Sequence, residues 1–225
     1  MDTQILSGLL AAGVIILLSF PVHEFSHAWA ANMLGDATAR WQGRLTLDPR
    51  AHFDPLGGLI LIATAVLQTG FFIGWAKPTP VNPYNLRNGR RGEALVAAAG
   101  PISNVVMALV AAVPLRLLWA DTVLMATIAN SLFLGLAYNV LWFFVAINAL
   151  LAVFNLLPIP PLDGWKIVGG LVSARLAYQM RQVEQYGFLI LIVIIIAGGR
   201  YLGPLIGGFI DLFVGSAIPV RLAGL

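Results

Sequence analysis

The chain has 225 residues, of which 59% are apolar and 10% charged, with a formal net charge of +3 and a mean hydropathy of +0.87. A soluble globular domain carries about 45–50% apolar and roughly 25% charged residues, so this composition excludes an ordinary soluble domain and predicts an integral membrane protein with several spans. The small positive balance reads as loop asymmetry, not as a nucleic-acid footprint, and the lack of cysteine excludes disulfides and thiol chemistry.

Apolar segments are measured against the roughly 20 residues that a bilayer-crossing helix needs. The first, 5–33, has no charged side chain over 5–20. No basic stretch precedes it, so it is expected to stay as a span and not to be removed as a signal peptide. The second, 56–74, is of marginal length and carries Gly57, Gly58, Gln68, Thr69 and Gly70. The third is 94–119 and the fourth 124–157. The last, 187–214, is interrupted by Gly198-Gly199-Arg200 and Gly203-Pro204, and reads as one irregular span or a span plus a short helix. The expected fold is an all-α polytopic membrane protein of about five to six membrane-embedded segments, with one short re-entrant or strand-like region. A single domain, 1–225, is expected, with its core at 5–184.

Lys and Arg concentrate in three connections: Arg40, Arg44 and Arg50; Lys77, Arg87, Arg90 and Arg91; Lys166, Arg175 and Arg181. The excess of Lys and Arg on the cytoplasmic side puts all three there. The first helix then runs inward, the third outward and the fourth back. Segment 56–74 lies between two of these loops, so a single crossing conflicts with both, and re-entry is the favoured reading. Irregular backbone is tolerated at membrane depth where protein or water covers it.

Residues 23–27 read His-Glu-Phe-Ser-His inside the first apolar run. Two histidines one helical turn apart share a face and can hold one zinc ion, with Glu24 beside it as general base. Ionisable groups at membrane depth are costly and mark function. At about 1.5 Å per residue, His23 lies roughly 15 Å of helix from Met33, below the cytoplasmic surface but short of the midplane. Pro21 removes a backbone hydrogen bond and is expected to kink the helix there. A catalytic zinc takes three protein ligands and leaves one position open. The third ligand is either His52, in a short polar loop where a solvent-facing position is expected, or Asp163. Asp163 follows the proline-broken run Pro158-Ile159-Pro160-Pro161-Leu162, which ends the fourth span and turns the chain back; Gly164 is expected to let the chain pass close to the metal.

Taken together, His23-Glu24-Phe25-Ser26-His27, Gly100-Pro101-Ile102-Ser103-Asn104 and Asn155-Leu156-Leu157-Pro158 through Leu162-Asp163-Gly164 resemble the site-2 protease family of intramembrane zinc metalloproteases. The resemblance covers the first, third and fourth segments. It implies one Zn2+ per chain held by His23, His27 and Asp163, with Glu24 as catalytic acid/base and Asn155 holding the substrate or the developing oxyanion. It also implies an endopeptidase in the prokaryotic inner membrane, cutting transmembrane protein substrates near the cytosolic face. The run 74–81, Gly-Trp-Ala-Lys-Pro-Thr-Pro-Val, resembles the extended segment that short bacterial members place after their second apolar stretch. With Pro78, Pro80 and Pro83 it is expected to be strand-like and to offer an edge to an unwound substrate. Gly100, Pro101 and Asn104 are read as packing for the metal helix. No PDZ or nucleotide-sensing module fits the sequence, which reads as a minimal core. The alternatives are a non-proteolytic zinc-binding scaffold or chaperone and, less favoured, a metal transporter. Glu24 counts against the scaffold, and the scarcity of acidic and histidine residues in the other spans counts against the transporter.

Overall fold

The computed structural model describes residues 3–67 and 73–215. The first apolar run forms one continuous helical rod: α1 (Thr3–Val14), a π-helical turn (Ile15–Ser19) and α2 (Phe20–Met33). Just before Pro21, where a kink was expected, the ladder widens. The Phe20 amide donates five residues back, to the Ile15 carbonyl, immediately before Pro21, which has no amide hydrogen to donate. Such π turns inside α-helices are frequent at functional sites.

Two short helices, α3 (Thr38–Trp41) and α4 (Pro49–His52), occupy the loop that follows. Then α5 (Pro55–Val66) begins under an Asp54 cap on the Gly57 amide. Its 12 residues rise about 18 Å, too little to cross a bilayer. The tip of the predicted second segment, 68–72, lies outside the described residues. Beyond it the chain comes back along α5. The Ile73 amide donates to Thr64 Oγ1 at 3.2 Å, Gly74 packs against Leu61 and Gly57, and the Lys77 amide donates to the His52 carbonyl at 2.8 Å. Both legs therefore end near the start of α5, the arrangement that re-entry requires. The returning leg, 73–82, is an irregular strap. The described residues contain no β-strand, so the expected strand is absent; Pro78 and Pro80 have no amide hydrogen with which to build a ladder.

The long helices follow: α6 (Arg90–Ala120), α7 (Thr122–Ala129) and α8 (Leu132–Leu156). The fourth predicted segment is thus two helices. The chain breaks at Asn130-Ser131, and Ser131 restarts it by accepting from the Leu134 amide. After a proline turn come α9 (Asp163–Leu171), α10 (Ala174–Val183) and α11 (Gly187–Val214). α11 runs as a single helix through Gly198, Gly199 and Pro204, where an interruption was expected. Among the described residues three helical stretches are long and apolar enough to cross a membrane: Gly8–Met33, Arg90–Ala120 and Leu132–Leu156.

Buried small residues let these helices approach closely, as packing in lipid demands. Ala108, Ala111, Ala112, Ala146 and Ala149 line the contact of α6 with α8, together with Leu115, Trp142, Val145 and Phe213 of α11. A second cluster joins α1, α5 and α8 through Ala11, Ala12, Leu61, Ala65 and Ile147. The three basic connections meet at one end of the bundle. There Arg44 Nη2 donates to the Lys77 carbonyl, Arg90 Nη1 to the Val172 carbonyl at 3.1 Å, and Arg181 pairs with Glu93 at 3.3 Å.

Candidate metal centre

His23 and His27 lie one turn apart on α2, and both face α6. Their Nε2 atoms are 3.0 Å apart, and each is 3.3 Å from Asp163 Oδ2. Asp163 is the first residue of α9. It is delivered there by the proline turn, which includes a cis Pro160-Pro161 bond. Both imidazoles are buried. These three are the group of His, Cys, Asp and Glu side chains among the described residues whose ligand atoms lie within 4.8 Å of one another.

The hydrogen bonds behind the rings fix which nitrogen carries the proton. His27 Nδ1 lies 2.8 Å from the Val96 carbonyl; a carbonyl can only accept, so Nδ1 donates, and in the neutral ring Nε2 is left bare. Behind His23 stands a chain of three buried side chains, Asn104, Asn148 and Ser19. Asn148 Nδ2 donates to the Phe144 carbonyl at 2.7 Å and to Ser19 Oγ at 3.2 Å, which leaves Asn148 Oδ1 to accept from Asn104 Nδ2 at 2.7 Å. Asn104 then presents Oδ1, which accepts from His23 Nδ1 at 2.6 Å. His23 Nε2 is bare as well. Two lone pairs and a carboxylate therefore converge on one point, and Asp163 Oδ2 is buried without a hydrogen-bond donor. Three acceptors facing one another are unfavourable unless a cation sits among them. Both rings are held from behind through Nδ1 and turn Nε2 to the shared point, the arrangement that metal-ligating histidines use. The donor set fits a zinc ion with an open fourth position.

Gly100 of α6 closes against this triangle. A Cβ at that position would lie 2.6 Å from His23 Cε1 and from His27 Cε1, and closer still to His27 Nε2. The Gly100-Pro101 motif, expected to be packing, is packing against the His23 and His27 rings themselves. Gly164 works elsewhere than expected: a Cβ there would strike the Leu156 and Leu157 carbonyls, so it seats α9 on the end of α8 and is not the close approach to the metal.

Glu24, half-buried, faces the strap. Its Oε2 accepts from the Thr79 amide at 2.8 Å and from the Thr79 hydroxyl at 2.7 Å. Asn155 sits at the end of α8 with Nδ2 donating to the Leu151 carbonyl at 2.9 Å, one helical turn back, and makes no hydrogen bond to the three converging residues. His52 is not the solvent-facing residue expected. It is 1% exposed, with Nε2 2.7 Å from the Thr46 carbonyl, and it takes no part in the His23–His27–Asp163 group. A polar loop reads as exposed in sequence, but this one folds under the strap.

Two more loop residues are buried and charged. Asp36 accepts from the Thr38 amide and hydroxyl, the Asn82 amide and Asn85 Nδ2. Burial alone would raise its pKa, but these donors hold it below the ordinary carboxylate value. Burial pulls Arg44 below its usual value, and the nearby Glu24 charge partly restores it. Sequence reasoning passed over Asn148 and Ser19, and took Thr79 only as part of the extended 74–83 stretch. Asn148 carried a signal, since an amide within an apolar helix needs a partner. Thr79 carried none, because its contact joins positions 55 apart.

A helical membrane protein with a buried histidine–histidine–carboxylate group is the class that this fold and site define. The chain belongs to peptidase family M50, the site-2 protease family, whose profile matches residues 11–198. It is 38% identical over 195 residues to the protein named "Putative zinc metalloprotease YwhC" of Bacillus subtilis, covering 86% of this chain and 84% of that one. It is 32% identical over 213 residues to the protein named "Putative zinc metalloprotease Rip2" of Mycolicibacterium smegmatis, covering 92% of this chain and 76% of that one. The Mycobacterium tuberculosis protein of the same name is 32% identical over 181 residues, 80% of this chain and 64% of its own length. No solved structure matches the chain.

Proposed function

We propose that this chain is a single-domain, HExxH-type zinc endopeptidase that cuts transmembrane segments of membrane-protein substrates. Its place is the bacterial inner membrane, with the site toward the cytoplasmic face. The observation that carries the reading is the convergence of His23 Nε2, His27 Nε2 and Asp163 Oδ2 at 3.0–3.3 Å, with both Nδ1 atoms committed to partners behind. His23, His27 and Asp163 would hold one zinc ion. The bound ion supplies Lewis acidity, which polarises a peptide carbonyl and lowers the pKa of water toward about 7.

The chain's own groups do the rest. Glu24, one residue from His23, takes the proton of the attacking water and delivers it to the leaving amine. Its Oε2 is held by Thr79, which leaves Oε1 for the water. Asn155, with one Nδ2 hydrogen donated to the Leu151 carbonyl, keeps its second amide hydrogen for an oxyanion and Oδ1 for a substrate amide. The strap at 73–82 is the surface for an unwound substrate segment. The side assignment rests on the three basic connections gathered at one end of the bundle. The test compares wild type with Glu24→Gln, both purified and zinc-loaded, on a model transmembrane substrate. Cleavage should fall by about 10²–10⁴-fold with zinc retained. Equal cleavage by the two proteins would refute the reading.

A further inference from the structure

We infer that Thr79 is a positioning residue for Glu24, and that the loop 34–54 exists in large part to hold the strap so that Thr79 can do this. The inference rests on the proposed peptidase reading and deepens it. Glu24 sits on α2, where a glutamate side chain has several rotamers open to it. Among the described residues only one of its carboxylate oxygens is engaged, and both donors come from one residue: the Thr79 amide at 2.8 Å and the Thr79 hydroxyl at 2.7 Å. The same hydroxyl lies 3.0 Å from the Glu24 carbonyl oxygen. A residue that touches both the backbone and the carboxylate of its partner fixes the direction of the side chain as well as its position.

Thr79 can act this way only if the strap is itself fixed, and an irregular segment without a ladder has no fixity of its own. The fixity comes from three buried polar residues of one loop. The His52 carbonyl accepts from the Lys77 amide at 2.8 Å. Arg44, 5% exposed, donates through Nη2 to the Lys77 carbonyl. Asp36, fully buried, accepts from the Asn82 amide at 2.7 Å. The strap is therefore tied two residues before Thr79 and three after it. This accounts for the burial of Arg44 and Asp36, whose side chains make two of the ties; His52 makes the third through its backbone, while its ring bonds the Thr46 carbonyl. Because the proposed substrate surface and the hold on the base are one segment, register along the strap is register relative to Glu24.

The experiment uses the full-length zinc protein in detergent with a model transmembrane substrate. Thr79→Val keeps the shape and the amide but removes the hydroxyl donor; Thr79→Ser restores that donor. A hydrogen bond to a charged group is worth enough that kcat should fall roughly 10- to 100-fold in Thr79→Val. KM should change by less than about threefold, and zinc should stay at one per chain, because only the orientation of the base is lost. Thr79→Ser should return kcat to within about threefold of wild type. On a Glu24→Gln background, Thr79→Val should add nothing. A merely structural Thr79 predicts the opposite pattern: a rise in KM, or zinc loss, with no rescue by serine. Should valine disturb the fold, seen as lost zinc, Thr79→Ala against Thr79→Ser makes the same comparison. Wild-type kcat in Thr79→Val overturns the inference while leaving the peptidase reading intact if Glu24→Gln is inactive. An active Glu24→Gln overturns both.

Discussion

Alanine at position 100 tests how tightly the His23 and His27 rings are held. In an ordinary helix Gly→Ala stabilises by about 1 kcal/mol. Here the added methyl would stand 2.6 Å from His23 Cε1 and His27 Cε1, well inside contact distance. The rings have nowhere to go. Moving His23 stretches its 2.6 Å bond to Asn104, and moving His27 stretches its 2.8 Å bond to the Val96 carbonyl. Overpacking costs about 1–3 kcal/mol, and losing a bond behind a ligand typically lowers metal affinity about 10–100-fold. The sign therefore reverses. Gly100→Ala should lower zinc affinity roughly 100-fold, read by competition with a chromophoric chelator, and should lower the thermal unfolding temperature in detergent. Gly13→Ala, where a Cβ meets nothing within 4 Å, is the control and should bind zinc as wild type does. Wild-type affinity in Gly100→Ala would refute the placement of Gly100 against the rings.

The relay behind His23 should be graded. Asn104→Leu removes the acceptor of the His23 proton and should weaken zinc about 10–100-fold. Asn148→Leu acts one step further back and should weaken it by less, about 3–10-fold, as one interhelical hydrogen bond in a membrane is worth about 1–2 kcal/mol at most; equal effects would argue against a directional chain. Asp36→Ala should destabilise by about 2–3 kcal/mol, measured by thermal unfolding. The folded pKa of Asp36 is depressed, so its contribution is fully present above about pH 4, the unfolded value, and fades as pH falls through the lower folded one. The wild type should lose this stability in acid, and Asp36→Asn should lack that part of the pH dependence.

The features legible in sequence were those with a local cause. His23, Glu24 and His27 fall on one helix, so their spacing alone placed both rings on a face. Asp163 was legible because four residues of its approach, Pro158 to Pro161, include three prolines and cannot continue a helix. The break at Asn130-Ser131 was hidden by apolar residues on both sides, although Ser131 is an ordinary helix start. His52 misled because loop polarity usually means exposure, whereas here Asp36, Arg44 and His52 are all buried beneath the strap. The strap's irregularity followed from prolines that also suggested extension, and nothing local distinguished the two. The hold of Thr79 on Glu24 is a long-range contact that no periodicity encodes.

The most direct test of the metal centre is zinc content, by mass spectrometry, of purified wild type and Asp163→Ala under a chelator at moderate strength. The wild type should carry one zinc per chain and Asp163→Ala little or none, because two imidazoles alone make a weak site. Full stoichiometry in Asp163→Ala would contradict the three-ligand centre.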